Sequence, residues 1–365
     1  MQEMLDGELD QFTEKYHFEQ IKTHVLDPEE NLFAALNIYV KVALDPTKTY
    51  TITVPGDVIT NFYLIGNGAT VNVTCTENRI FNIRNALAGP MIGGMHTPTI
   101  DGVIFCGKTG TLQFGDLICA HTSALVNCCH FIDWDGTCVR GFAALVVRGC
   151  MFVGCARGVR TSGEYTLTVK STSFKCCLVC IGCKTDFEII HCLFDECLCS
   201  LMSTGTGKFI KNSVANSIIE SLCRYKSAEL VTCAGGNTNM LCGIHIVANT
   251  KKVQVKFEDN NFYRAKIFLG FRKGVHTFRR CTLHYCHIWL DQNSADKLSL
   301  TGSYSPLLSV SVAMHVDFEK LFTMKCECGV THIAALPVFE NRTEDYKING
   351  RKRSCQCLEF SSDEE

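Results

Sequence analysis

A three-residue pattern recurs through the middle of the chain: a small or polar pair, then a large apolar residue. It reads Cys129-His130-Phe131, Cys150-Met151-Phe152, Thr172-Ser173-Phe174, Cys192-Leu193-Phe194, Asn212-Ser213-Val214, Asn260-Asn261-Phe262 and Cys281-Thr282-Leu283, with Tyr304 of Gly302-Ser303-Tyr304 as a further member. Successive steps are 21, 22, 20, 20, 48, 21 and 21 residues, and a cysteine follows three residues behind the aromatic or leucine at Cys155, Cys177, Cys197 and Cys286. Periods in this range are the signature of solenoids, in which no single repeat can bury its own apolar face and stability comes from stacking. The leucine-rich-repeat frame is absent and no repeat contains a helical stretch. Short β-branched runs between Gly and Asn instead predict a right-handed parallel β-helix, with inward ladders of Phe and Cys. An ordinary β-sandwich would need the spacing to be coincidental. The 48-residue step is expected to hold two coils plus a few extra residues, with a longer loop over residues 228–252 that loops on a rigid scaffold commonly use for binding.

The texture upstream divides the chain further. Leu5, Leu9, Phe12, Tyr16 and Ile21 recur at helical spacing, as do Leu32, Leu36, Tyr39, Val40 and Ala43. Asp27 is the expected cap of the second helix and Pro28 its first residue. The segment 1–49 therefore reads as a helical cap over a β-helix of residues 50–312, since an open coil end exposes unpaired backbone and core. Residues 313–358 read as a Cys/His module and 359–365 as an acidic tail.

The 24 cysteines constrain the compartment. Residues 1–10, MQEMLDGELD, are acidic and lack an apolar core, so they do not read as a secretory signal. No apolar run is long enough for a membrane span. The cysteines are then expected to be free thiols acting as small buried hydrophobes in an intracellular protein, and the sequons at Asn72 and Asn341 to be chance matches. The formal net charge of -2 gives no global pull toward nucleic acid or anionic membrane.

Cys326, Cys328, His332 and Cys355, with Cys357 as an alternate ligand, supply the residue types of one structural zinc site; the competing reading is more free thiols. Within the coils, adjacent pairs such as Cys176-Cys177 face opposite sides of a strand and read as packing. Some parallel β-helices are carbohydrate-active enzymes that need clustered carboxylates. Asp101, Asp133 and Asp135 are scattered and read as turn residues. Gly205-Thr206-Gly207-Lys208 lacks phosphate-loop spacing and reads as a coil corner. Arg351, Lys352 and Arg353 form a basic cluster suited to nuclear import or to a solvated surface. Ser361 and Ser362 each precede a glutamate by three residues, the pattern acidophilic kinases prefer. Lys256 formally matches a SUMO-acceptor pattern beside a strand.

Several blocks together carry a resemblance: ELDQFTEKYHFEQI (8–21), IYVKVALDP (38–46), GNGATV (66–71), the coil motifs NCCHF, DGTCV and VVRGCMF, CECG-x-x-HI (326–333) and EFSSDEE (359–365). In this order they resemble the large protein of adenovirus early region 1B, the large tumour antigen family. The resemblance implies a viral regulatory adaptor of the host nucleus and cytoplasm and not an ordinary enzyme, with a SUMO ligase-like activity toward p53 at most. It implies binding and inhibition of host p53. With the viral early region 4 open reading frame 6 protein, it implies recruitment of p53 and DNA-repair proteins to a cullin-5/elongin B/C ubiquitin ligase. It further implies p53 sumoylation, association with nuclear-body proteins and export of late viral messages. It strengthens the zinc reading of the tail. Longer members carry an N-terminal export signal and SUMO-acceptor lysine; this chain starts close to the cap, so the resemblance does not carry those two features over. A homotrimeric β-helix capsid protein of a related adenovirus lineage is the structural alternative, and a carbohydrate-active enzyme acting through Asp133 or Asp135 a third.

Overall fold

The computed structural model describes residues 21–84, 97–107, 115–215, 244–248, 253–290, 298–301, 309–312 and 338–341, apart from isolated positions within these ranges. Three long parallel sheets wrap a common core. Sheet A has 12 strands running from His24–Val25 to Leu298–Thr301, sheet B has 10 from Thr49–Ile52 to Thr282–His284, and sheet C has 12 from Gly56–Val58 to Val338–Asn341. One turn visits the three in order, as in Leu145–Arg148, Met151–Val153 and Arg157–Thr161. Each strand pairs in parallel with its counterpart in the next turn. The parallel β-helix expected from the repeat is the observed fold.

The in-register pairing explains the repeat. Phe131 pairs with Phe105 and Phe152, Phe152 with Phe174, and Phe174 with Phe194. A one-residue slip would turn these rings to solvent. Instead they stack inside, with centroids 5.5, 4.7, 4.7 and 5.1 Å apart from Phe105 to Phe194. Stacking of this kind adds about 0.5–1.5 kcal/mol per pair beyond area burial. Tyr50 and Val71 continue the column upstream, so the sheets begin near residue 50 and before.

The 48-residue step corrects the expectation of two coils. Ser213, Val214 and Ala215 pair directly with Asn261, Phe262 and Tyr263, so one turn separates them. The surplus lies in residues 216–243, ahead of the sheet C strand Ile244–Ala248. Part of the expected 228–252 loop is therefore ordinary coil strand. Spacing alone could not distinguish a skipped turn from an insertion between two strands.

Two columns of turn residues close each coil. Between sheets A and B, Asn67, Gly102, Cys128, Gly149, Ser171, His191, Lys211, Asp259 and Arg280 all have φ between 49° and 66°. Between sheets B and C, Asp133, Gly154, Cys176 and Glu196 do the same. One left-handed residue bends the chain sharply, and glycine takes that conformation at no steric cost. At the seven A–B corners from Cys128 to Arg280, the residue after the corner points inward and hydrogen-bonds to the backbone of an adjacent turn. Asn212 accepts the Cys192 N–H at 2.7 Å and donates to the Ile189 carbonyl at 3.0 Å. Asn260 repeats this on the Asn212 N–H at 2.8 Å and the Phe209 carbonyl. Cysteines fill the equivalent positions elsewhere: Cys129, Cys150, Cys192 and Cys281 donate to backbone carbonyls at 3.2–3.6 Å. A second cysteine column, Cys155, Cys177, Cys197 and Cys286, does the same after the B–C corner. All 17 described cysteines are free thiols, most of them buried, as the sequence reading of packing cysteines requires.

The cap is less helical than expected. The helix spans only Leu32–Ile38, and its N-cap is Asn31, whose side chain accepts the Phe33 and Ala34 N–H groups at 3.0 Å each. Asp27 accepts from Glu29 in a preceding turn and does not cap it. Phe33 packs edge-on against Phe81 with centroids 5.1 Å apart, which seats the helix on the core. The chain then leaves the helix: Lys41–Ala43 joins sheet A beside Tyr63–Ile65, and His24–Val25 pairs on its other side. Val42 is β-branched and suits a sheet, whereas Ala43 favours a helix, and the exposed edge of sheet A decides between them. The first predicted helix lies mostly outside the described residues. At the other end, Val338–Asn341 pairs with Ser309–Val312, so sheet C takes a strand from the segment assigned to the Cys/His module. No described helix is long and apolar enough to cross a membrane.

Candidate interaction surface

The outer face of sheet C carries an arginine platform. Parallel pairing places Asn82, Cys119, Arg140 and Arg160 in one row across four turns, and Arg79, Asp116, Thr137 and Arg157 in a second. Phe142 lies between them: Arg140 sits 4.8 Å and Arg79 5.8 Å from its ring centre, and His121 stacks on it at 4.7 Å with the planes 3° apart. Cation–π contacts of this kind hold the guanidinium planes in place. Arg140 pairs with Asp116 at 3.0 Å and donates to Ser162 at 3.3 Å. Arg84 pairs with Asp57 at 3.3 Å. Among the described residues no carboxylate lies within ion-pair distance of Arg79, Arg157 or Arg160.

The electrostatics reflect that crowding. Burial, then the charges of Arg140 and Arg157, hold Arg160 below the usual guanidinium range. Burial and the same field from Arg79, Arg84 and Arg140 lower His121, which favours its neutral form. Two buried polar atoms beside the platform lack a partner among the described residues, the Asn82 Oδ1 and the Arg140 Nε. Unpaired buried groups cost free energy and call for an explanation.

Sheet A presents a shallower mixed surface. An open groove is lined by Thr166, Thr168, Asp186, Glu188, Lys208 and Lys256. Glu188 pairs with Lys170 at 3.4 Å and Lys208 at 3.2 Å. Burial works to raise its carboxyl, but the two ammonium groups prevail and it sits below its ordinary value. Lys256 is exposed on the sheet A strand Val253–Glu258, at the edge of the groove.

Asp101, Asp133 and Asp135, the carboxylates weighed for catalysis, do not form a cluster among the described residues. Asp101 precedes an A–B corner and accepts from Tyr63 and Asn127 at 3.1 and 2.9 Å. Asp133 occupies a B–C corner with φ 55°. Both serve as turn residues. Gly205 is buried at a coil corner, where its N–H donates to Ser203 Oγ at 3.0 Å. Cys326, Cys328, His332, Cys355 and Cys357, the basic Arg351, Lys352 and Arg353, and Ser361 and Ser362 all lie outside the described residues.

One thiol cluster escaped the sequence reading. The sulfurs of Cys177, Cys180 and Cys197 lie within 4.8 Å of one another, all buried. The signal was the Cys177-x-x-Cys180 spacing, with Cys197 one coil later. Their ligand type suits a soft metal ion, but three donors fall one short of a closed tetrahedral site. Cys177 donates to the Phe152 and Lys175 carbonyls and Cys197 to the Phe174 and Asp195 carbonyls. Burial pushes the Cys177 and Cys180 thiols above their usual value, which opposes the thiolates a metal requires; burial also works to raise Cys197, but hydrogen bonds from Cys177 and Cys180 prevail and bring it down to about 5, so the cluster favours one thiolate and not three.

Comparison with known proteins gives a single consistent answer. The family model described as adenovirus EB1 55K protein / large t-antigen matches residues 1–365. The E1B 55 kDa protein of tree shrew adenovirus serotype 1 is 33% identical over 364 residues, covering 98% of this chain and 90% of that protein. The protein of the same name from human adenovirus F serotype 41 is 30% identical, covering 96% of this chain and 72% of the relative. That from canine adenovirus serotype 2 is 26% identical over 97% of this chain and 79% of the relative.

Proposed function

The chain belongs to the adenovirus E1B 55K (large t-antigen) family of viral early regulatory proteins, and from that premise we propose that it is a substrate adaptor. On this reading it binds and inhibits host p53. With the viral early region 4 open reading frame 6 protein, it presents p53 and DNA-repair proteins to a cullin-5/elongin B/C ubiquitin ligase. The same reading assigns it promotion of p53 sumoylation, contact with nuclear-body proteins, support of late viral mRNA export, and residence in host nucleus and cytoplasm. One structural zinc held by Cys326, Cys328, His332 and Cys355 belongs to the same proposal.

The observation that carries the reading is the match across the full length of the chain, joined to what the fold offers. A stack of in-register turns sets out side chains about 4.8 Å apart along rigid faces. Such faces bind extended partners without first having to order themselves. Affinity purification of the tagged chain from infected cells tests the proposal. Recovery of cullin-5, both elongins and the early region 4 partner, with p53 falling during infection, is the expected result. Their absence with p53 unchanged would overturn the ligase role.

A further inference from the structure

We propose that the arginine platform of sheet C is a docking site for a phosphorylated segment of a partner protein, with the phosphate of a phosphoserine or phosphothreonine received by Arg157 and Arg160. The proposal goes beyond the adaptor reading and stands without it, since a phosphopeptide can dock here whether or not a ligase is recruited. The first observation is charge left over on an outward face. Arg79, Arg84, Arg140, Arg157 and Arg160 lie on or beside four successive strands of sheet C, exposed or half-buried. Asp57 neutralises Arg84, and Asp116 neutralises Arg140. Among the described residues, Arg79, Arg157 and Arg160 have no carboxylate within ion-pair distance. A side-chain carboxylate would bring one charge. A phosphate monoester brings about two, with three acceptor oxygens, so it can take two guanidinium forks at once.

The second observation is that the fold presets the geometry. Arg140 and Arg160 are direct partners on neighbouring strands, about 4.8 Å apart at the usual strand spacing. Arg157 lies on the same strand as Arg160, three residues earlier, or about 10 Å along it. Arg140 is anchored by Asp116, Ser162 and the Phe142 ring. Like charges therefore stand close together before anything binds, and a dianion relieves their repulsion. The next strand leaves the approach open. Gly182 pairs with Arg160, and the nearest atom to a Cβ added there would be the Arg160 Cγ, at 3.9 Å. A peptide backbone can come in beside Arg160 over that bare position.

The third observation favours a phosphopeptide over a nucleic acid. Single strands bind on open aromatic faces set along a continuous basic track. Here His121 is stacked on Phe142 with the planes 3° apart, and Arg140 and Arg79 lie over the Phe142 ring. The basic row also stops: Gly182 and then Met202 follow Arg160 on the next two strands. On sheet A, Glu188 sits between Lys170 and Lys208 and balances them. The uncompensated charge is confined to a patch the size of a few peptide residues, which suits one phosphate with an acidic neighbour and not a long polyanion.

Fluorescence anisotropy with the full chain at about 0.15 M salt tests this. The probe is a short labelled peptide with a central phosphoserine between two glutamates. The controls are the same peptide with serine at the centre, the same with glutamate there, and a labelled oligothymidine. The phosphopeptide should bind at least about tenfold more tightly than each control. Its affinity should fall at least about tenfold in Arg157→Gln/Arg160→Gln, whose fold is checked by its unfolding midpoint. A second variant, Gly182→Glu, keeps every arginine and sets a carboxylate beside Arg160 where the backbone has room for a side chain; it should lose as much. Lys175→Gln, an exposed lysine on sheet B, should bind as wild type does. A phosphopeptide no tighter than the serine or glutamate peptide, a tighter oligothymidine, or an affinity that either platform variant leaves unchanged or that Lys175→Gln lowers equally would overturn the proposal.

Discussion

Replacing Phe152 with alanine tests the ladder reading at its centre. Phe152 is fully buried and stacks on Phe131 and Phe174, both at 4.7 Å with planes 8° apart. Removing the ring forfeits about 2–3 kcal/mol of transfer free energy and two stacking contacts of about 0.5–1.5 kcal/mol each. The loss should come to about 4 kcal/mol, inside the range known for Phe→Ala in cores. Phe105 is the control. Among the described residues its ring stacks only on Phe131, at 5.5 Å, and its other neighbour in the column is Val71, so Phe105→Ala should cost about 1 kcal/mol less. Urea unfolding followed by tryptophan fluorescence reads the difference, because buried Trp134 donates to the Gly115 carbonyl at 3.1 Å one turn from the site. With a slope of about 3 kcal/mol/M, the midpoint of Phe152→Ala should fall by about 1.3 M. A fall below about 0.5 M, or equal falls at both positions, would mean the rings do not form one continuous stack, and the account of the repeat would fail.

The other expectations concern the polar columns and the surface. Asn260→Ala should destabilise by about 2–4 kcal/mol, since the Asn212 N–H and the Phe209 carbonyl each lose a buried partner; Asn260→Asp, which keeps the acceptor and loses the donor, should recover only part of it, by the same unfolding assay. Arg280 binds Asp259 through both carboxylate oxygens, at 2.6 and 2.8 Å, and holds its carboxyl below 3.8. A depressed carboxylate stabilises the fold above its unfolded value, and that stability is lost as pH falls through the lower folded value. The melting-temperature gap between wild type and Arg280→Gln should therefore be constant at neutral pH and close below 3.8. Among the described cysteines Cys128 alone is exposed, so mild alkylation of the native protein followed by peptide mapping should label it well ahead of Cys177 or Cys197. Rapid labelling of those two would show that the interior opens readily. Gly207→Ala should cost about 1–3 kcal/mol, because an added methyl group would press on the Phe187 ring and its carbonyl.

The amino-acid order alone specified the coil. A large ring every 20 to 22 residues, with a small or polar residue two positions before it, leaves no other way to bury the apolar set than stacking in register. The cysteines read as packing for the same reason, and the isolated aspartates as corners. What the order could not specify was every decision that depended on a neighbour in the next turn. Residues 40–43 were compatible with helix or strand until the open edge of sheet A claimed them. The 48-residue step was ambiguous until Val214 was found paired with Phe262. The arginine platform was invisible because Arg79, Arg140, Arg157 and Arg160 are spread over 82 residues and become neighbours only when turns about 4.8 Å apart stack them. Local sequence fixes the shape of one coil. Charge and side-chain constellations across coils exist only in the stack, where residues a full turn apart become adjacent.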